Sequence, residues 1–352
     1  MKILQEHTSF TIHPAAEFIY GLNFIANEEA LRKFYTDYDF TPSESFLQLL
    51  EDIKSRISRF LKSELTYFFD WPDMIHILGR VLLEDVSIRQ VSAFIARLEQ
   101  MSEKKFCSYV LYQSLYGING EDMEEADPDN LQKLLSSADH KSDEVKEKLA
   151  ECLQNPSEFK ARLCFVLSQF YKNCYEPLEE SILSQSLPAK EHYERLFAED
   201  PDYFNNEFFG KALDMDFEEF IVHISYFTQI RAWMFDVRPQ SGIGLISLGI
   251  HSEHYPRKVF IKAKVQRFVK LLSDKKRFEI MERLGKRPHY VHELSSELKL
   301  TPPTVCYHLN AILDLNLVST NRENNKTFYT LNKAAVKELL DNAREVLLDN
   351  EE

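Results

Sequence analysis

Residues 301–313, TPPTVCYHLNAIL, hold side chains suited to reading hydrogen-bond patterns. As a helix, this stretch puts Val305, Leu309 and Ile312 on one narrow arc, which suits a core. The opposite arc carries Pro303, Thr304, Tyr307, Asn310 and Ala311, with Cys306 and His308 on the flanks. Hydroxyl and carboxamide groups bond base edges or phosphates, and a threonine methyl suits an apolar base edge. His308 stands between two roles, reading bases and packing in the core. Pro302 and Pro303 do not break the helix. Thr301 is the N-cap, and the prolines take the first two helical positions, where no intrahelical N–H bond is needed. They separate two helices, about 290–299 and 301–313, joined by roughly three residues, which is a helix-turn-helix arrangement.

Other chemistries find less support. The five cysteines, Cys107, Cys152, Cys164, Cys174 and Cys306, are odd in number and widely spaced, with no C-x-x-C pair. They read as buried reduced thiols, not as a disulfide framework or a zinc site. His289 and His292 read as a surface or phosphate-contacting pair, and HSEHYPRK (251–258) as a polar linker. GIGLISLGI lacks the G-K-[ST] of a phosphate loop. EDMEEADPDN (121–130) lacks EF-hand ligand spacing and reads as a solvated loop. The aromatic stretches YFFDWP and YFTQIRAWMFDVR read as core, with the lining of an apolar pocket as the alternative. No serine-histidine-acid or paired-carboxylate set is legible, so no catalysis, cofactor or metal is expected.

The elements that position the recognition stretch belong to a mainly α chain. ESFLQLLEDIKSRISRFLKSELTYFF (44–69) has apolar residues three and four apart and predicts one long amphipathic helix. Further helices are predicted at about 73–84, 87–116, 129–138, 141–153, 157–186, 189–198 and 216–233. Pro128, Pro156, Pro188 and Pro201 lie near helix starts. HTSFTIHP (7–14) and RPQSGIGLISLGIHSEHYP (238–256) read as strands that pair with each other. Near the C-terminus, Asp274 caps a helix that ends at Gly285 and buries Phe278, Ile280, Met281 and Leu284. LVSTNRENNKTFYTL (317–331) reads as a hairpin around Asn324 and Asn325. Arg322 and Lys326 flank its tip, making it a cationic wing for phosphates or the minor groove. A last helix, about 333–348, carries one stripe of Val336, Leu339, Leu340, Ala343 and Leu347.

Charge divides this 352-residue chain. The net charge is −14, but the residues from Arg257 onward hold 18 lysines and arginines against 13 acids. Residues 1–256 hold 24 against 43. The expected architecture is a large, acidic, helical N-terminal domain (1–256) with a minor β element, then a winged helix-turn-helix domain (257–352). A polyanion meets the second. MKILQEHTSF has no signal-peptide pattern and no apolar run can span a bilayer, so a cytoplasmic protein without membrane contact is expected.

Residues 259–348 resemble the ArsR-type winged-helix transcription factors of bacteria. The resemblance rests on R-x-x-I-x-x-x-L at Arg277–Leu284, V-x-x-L-S-x-x-L at Val291–Leu298, P-P-T-V-x-Y-H-L at Pro302–Leu309, and the L-x-L-V that leads into the wing. It covers about a quarter of the chain. It implies a homodimer packed through helices 259–272 and 333–348, bound to double-stranded DNA at an inverted-repeat operator. It places DNA reading on Thr304, Tyr307, His308 and Asn310, to which Thr301 and Pro303 are added. The wing and backbone contacts are Arg322, Asn325, Lys326, Lys286 and Arg287. Cys306 departs from the small polar residue usual at its position. The metal-sensing patterns of the family are missing: HYVHELSSEL has no cysteine and the last helix has no histidine. The expected function is a transcriptional regulator, read as a repressor, whose N-terminal domain senses a non-metal small molecule or a peptide. The alternative is a DNA-tethered adaptor whose N-terminal domain docks a protein.

Overall fold

The computed structural model describes residues 7–71, 73–116, 143–209, 217–235, 242–255, 257–323 and 326–348. The predicted helix at 129–138, the acidic loop at 121–130, Pro128, Asn324 and Asn325 lie outside them. The fold is mainly α, and the chain forms two compact units that divide at Arg257 and Lys258.

The first unit opens with β1 (Thr8–Thr11) and α1 (Pro14–Ala26), then α2 (Glu28–Asp37). The single helix expected over 44–69 is two, α3 (Glu44–Ser55) and α4 (Arg59–Phe69). The Ser58 hydroxyl accepts from the Leu61 amide and starts a new helix, although the apolar spacing runs on across the break. The expected 87–116 helix also divides, into α6 (Val91–Gln100) and α7 (Glu103–Tyr116), after α5 (Met74–Leu83). Met101 is extended there, and Ser102 caps the Lys105 amide. α8 (Asp143–Gln154) and α9 (Pro156–Phe170) follow. The stretch predicted to continue to 186 passes through a π turn at Tyr171–Tyr175 and a 3-10 turn at Glu176–Leu178 before α10 (Glu179–Gln185). Pro177 has no amide to continue the ladder. α11 (Leu187–Glu199) and α12 (Pro201–Phe204) carry prolines in their first turns, as does α9.

The helix expected at 216–233 is instead β2 (Glu219–Ser225), a turn, and β3 (Ala232–Met234), followed by β4 (Ile243–Gly249). EFIVHIS is a short apolar run buried on both faces of a sheet, where periodicity does not separate strand from helix. The sheet order is β1-β2-β4-β3, with β1, β2 and β4 parallel. The two strands legible in the sequence therefore do not pair with each other, because β2 lies between them. HSEHY is not a free linker: Ser252 is buried, and the Glu253 amide donates to Tyr193 Oη at 3.0 Å.

A buried acid ties this sheet to α1. Glu17 and His223 are fully buried, and Glu17 Oε2 lies 2.9 Å from His223 Nε2. Glu17 Oε1 accepts from the amides of Tyr226 and Phe227 at 2.9 and 3.0 Å. His223 Nδ1 accepts from the His13 amide at 3.1 Å, which leaves the ring proton on Nε2, facing the carboxylate. Burial pushes the His13 ring itself down to about 4.

The second unit comprises α13 (Arg257–Leu272), α14 (Lys275–Leu284), β5 (His289–Tyr290), α15 (Val291–Leu298), α16 (Pro302–Leu313), β6 (Val318–Glu323), β7 (Lys326–Leu331) and α17 (Lys333–Leu348). Its core joins Phe268, Ile280, Leu294, Leu309, Ile312 and Leu339. Asp274 caps α14 by accepting from the amides of Lys276 and Arg277. Phe278, expected inside, is 47% exposed, because it lies roughly a third of a turn from the centre of the arc formed by Ile280, Met281 and Leu284.

Candidate nucleic-acid interface

α15 ends at Lys299 in the left-handed conformation (φ 54°), a position no glycine marks in the sequence. The Leu300 amide donates to the Ser295 carbonyl at 3.0 Å, and the Ser295 hydroxyl donates back to the Leu300 carbonyl. This closes the turn and aims α16 outward. Thr301 accepts from the Thr304 amide at 3.4 Å, and the two threonine hydroxyls lie 2.8 Å apart. Val305, Leu309 and Ile312 are fully buried and anchor the helix.

The outer face of α16 presents Thr301, Pro303, Cys306, Tyr307 and Asn310 to solvent, with Thr304 half-buried. Tyr307 is 64% exposed, unusual for so large a ring. The Arg277 guanidinium stands 5.8 Å from its centroid. Arg277 was not among the expected contacts. The cue is its place in the first turn of α14, three residues after the capping Asp274.

Two expectations about histidines change. His308 is buried, with Nδ1 3.9 Å from an Asp274 oxygen. Its place four residues before the buried Ile312 puts both on one side of the helix, inside a buried arc wider than the strict apolar stripe. His308 therefore packs in the unit and does not stand on the outer face. The amides of Arg277 and Lys276, with His308 beside them, hold the Asp274 carboxyl below the usual carboxylate range. His289, expected at the surface with His292, is buried in β5, and its Nδ1 lies 2.9 Å from the Arg287 carbonyl. His292 is exposed. Cys306 is also exposed, against the expectation of buried thiols, whereas Cys107, Cys152, Cys164 and Cys174 are buried.

β6 and β7 form the hairpin, in register from Val318↔Leu331 to Glu323↔Lys326, and the sheet order is β5-β7-β6. Lys326 is exposed and its Nζ stands 4.3 Å from the Tyr290 ring centroid. The side chains of Arg322 and Asn325 lie outside the described residues. Lys286 is exposed. Arg287 pairs with Glu293 and Glu297, each at 3.3 Å.

A helix capped at its exposed N-terminus, a cation-bearing hairpin beside it and one buried apolar anchor make a surface fitted to a DNA groove. The model of the family described as "Bacterial regulatory protein, arsR family" matches residues 274–320, from the cap of α14 into β6. The arsenical resistance operon repressor of Bacillus subtilis (strain 168) is 35% identical over 78 residues, which are 22% of this chain and 74% of that protein. The chain belongs to the arsR family. The repressor of the same description from Staphylococcus aureus is 29% identical over 83 residues, 24% of this chain and 80% of that protein. The one from Staphylococcus xylosus is 33% identical over 64 residues, 18% of this chain and 62% of that protein. No solved structure matches the chain significantly. This arsR-family protein is a DNA-binding transcriptional regulator, and its family match includes no residue before Asp274.

The wing gives a direct test. Lys326→Ala is expected to lower the slope of log affinity against log salt by about one unit, the share of one phosphate contact. A titration series at several salt concentrations reads it, and an unchanged slope takes Lys326 off the backbone.

Proposed function

We propose that this protein is a homodimeric, sequence-specific repressor acting in the cytoplasm, with residues 257–352 binding DNA and residues 1–256 sensing a non-metal effector. α16 reads the major groove of an inverted-repeat operator through Thr304, Tyr307 and Asn310, with Thr301 and Pro303 at its N-terminus. Lys326 and Lys286, with Arg322 and Asn325 of the wing, contact the backbone. Arg287 joins them by exchanging exposed acid partners for phosphate, since exposed ion pairs are worth little. The observation that carries the reading is the outward Tyr307 on a capped helix whose opposite face is fully buried. The names of the relatives supply the sign, repression. Among the described residues no group of three histidines, cysteines or acids is placed to hold a metal ion. No described helix is long and apolar enough to cross a membrane.

The test is selection of genomic fragments by the full-length protein, followed by sequencing. Half-sites about one helical turn apart are expected. On the recovered site, Thr304→Ala and Tyr307→Ala each cost about 1–3 kcal/mol of specific binding and leave random-sequence binding nearly unchanged. Equal losses on both DNAs reject direct readout. The second reading, a DNA-tethered adaptor, draws on Phe60 and Phe165 in the first unit, 58% and 50% exposed with ring centroids 6.2 Å apart. Fragment selection without an enriched motif favours it.

A further inference from the structure

SYFTQIRAW (225–233) sets one cation among apolar and aromatic residues. It forms the turn that leaves the carboxyl end of β2. Glu17 holds the turn through the amides of Tyr226 and Phe227. Gln229 is left-handed (φ 52°), and its carbonyl accepts from the His251 amide at 2.7 Å. Gly249, the last residue of β4, permits this approach, because a Cβ there would stand 2.4 Å from the Gln229 carbonyl. The Gly249 amide donates to the Arg231 carbonyl at 3.0 Å. Arg231 therefore rises from a backbone clamped on three sides.

Its guanidinium lies 3.8 Å from the Trp233 ring centroid and 5.1 Å from that of Phe34. Among the described residues no carboxylate stands within ion-pair distance of it. Burial draws the group down to about 10. The neighbouring phenols give no counter-charge, since Tyr20 and Tyr35 donate to the carbonyls of Trp233 and Phe227, each at 3.3 Å. Arg231 is half-buried, and a cation partly withdrawn from water without an acid is costly. With its carbon over the indole ring and no hydrogen bond from its nitrogens among the described residues, the guanidinium has N–H groups to offer, and its fork is the geometry that receives a carboxylate in bidentate fashion.

A second group points the same way. Thr228 Oγ1 is buried without a hydrogen-bond partner, in a residue only 6% exposed. Thr228 and Arg231 line one cavity, together with Asn23 and a wall that includes Phe24, Phe34 and Trp233. The free space is about 10 Å³, room for a single water. Leu31, Phe34 and Tyr35 of α2 form one side of the cavity, and among them only Tyr35 is buried, so a guest larger than a water requires that side to move. The cavity sits outside the carboxyl ends of parallel strands, where open α/β sheets hold their ligands.

We propose that this cavity binds a small organic monocarboxylate, its carboxylate on Arg231 and Thr228 and its apolar or aromatic body against the ring wall. One cation suits one negative charge, and the aromatic wall disfavours a strongly hydrated phosphate dianion. The assignment rests on the reading of the first unit as the sensor and names the class of its effector. Displacing α2 would supply the difference in affinity between two states that any switch requires.

Calorimetric titration of the full-length protein with benzoate, phenylacetate and hexanoate tests it, with benzamide as the neutral counterpart of benzoate. At least one acid is expected to bind with Kd below about 10 mM, weak even for ligands of this size. Benzamide binds about tenfold more weakly, Arg231→Gln loses about tenfold or more, and Thr228→Val about threefold. Binding by none of the acids overturns the site, as does equal binding to Arg231→Gln. Should Arg231→Gln not fold, benzamide binding as tightly as benzoate, with Thr228→Val unchanged, overturns it. Operator affinity is measured alongside, with the acids and with a chelator-treated, protein-free extract of the source cells. If the extract shifts it for wild type and Arg231→Gln alike while no acid binds, the site falls and the sensor reading stands. If the acids bind at Arg231 yet neither they nor the extract shift operator affinity, the site stands and the sensor reading falls.

Discussion

Replacing both Leu340 and Leu347 with aspartate is expected to make the protein monomeric and to weaken its hold on a two-half-site operator by about 10²–10⁴-fold. The stripe predicted on α17 is only partly used within the chain. Leu339 is buried, Val336 and Ala343 are half-buried, and Leu340 and Leu347 are 53% and 69% exposed. Leu348 beside them is 70% exposed and Val269 on α13 52%. α13 and α17 are bridged by Lys264 and Glu338 at 3.7 Å, so these apolar groups belong to neighbouring helices. Exposed apolar surface of this kind is what a second copy would cover. Aspartates placed there would face their own symmetry mates across a two-fold interface, without partners. The monomer itself should be spared, because substitutions at exposed positions usually change stability by less than about 0.5 kcal/mol. Sedimentation equilibrium reads the mass and operator titration the affinity. A double variant that sediments as wild type rules out this face as the interface.

Glu17→Ala is expected to cost the first unit about 3–5 kcal/mol, the range for removing one partner of a buried polar pair. The loss strands three donors at once: His223 Nε2 and the amides of Tyr226 and Phe227. Bulk water does not reach them in the intact fold, since Glu17 and His223 are fully buried. Glu17→Gln keeps one carbonyl oxygen for the amides but turns an NH₂ toward His223, so its loss should be smaller and still clear. The chain has two tryptophans, Trp71 and Trp233, both in the first unit, so their fluorescence in urea follows that unit alone. A shift in midpoint at constant slope gives the change in stability. A loss below about 1 kcal/mol would mean that the sheet and α1 are held by apolar packing and that the acid is incidental.

The histidine positions mark the limit of reading a helix by its wheel. On the wheel His308 stands between two roles because it falls at the edge of an arc, where a few degrees decide. The structure puts it beside Asp274, on an element 34 positions earlier in the chain. Tyr307, at the centre of the outer arc, was legible and is 64% exposed. Lys299 shows the converse: its left-handed turn has no glycine to announce it, and the Ser295–Leu300 bonds hold it there.

Taken by itself, the sequence determined the second unit. Its signals are local: a threonine cap, two first-turn prolines, a three-and-four spacing and an alternating hairpin all act within a turn or two of the backbone. In the first unit the helix starts at Pro156 and Pro201 were legible for the same reason. The sheet was not. β1 meets β2 across more than 200 residues, and β2 meets β4 in parallel. A strand buried on both faces has no polar rhythm to reveal its period or its neighbour. The same distance hid Arg231 among aromatic residues. That its charge has no acid nearby among the described residues is a property of the folded neighbourhood, set when α1, α2 and the turn after β2 come together, and only the tertiary structure decides it.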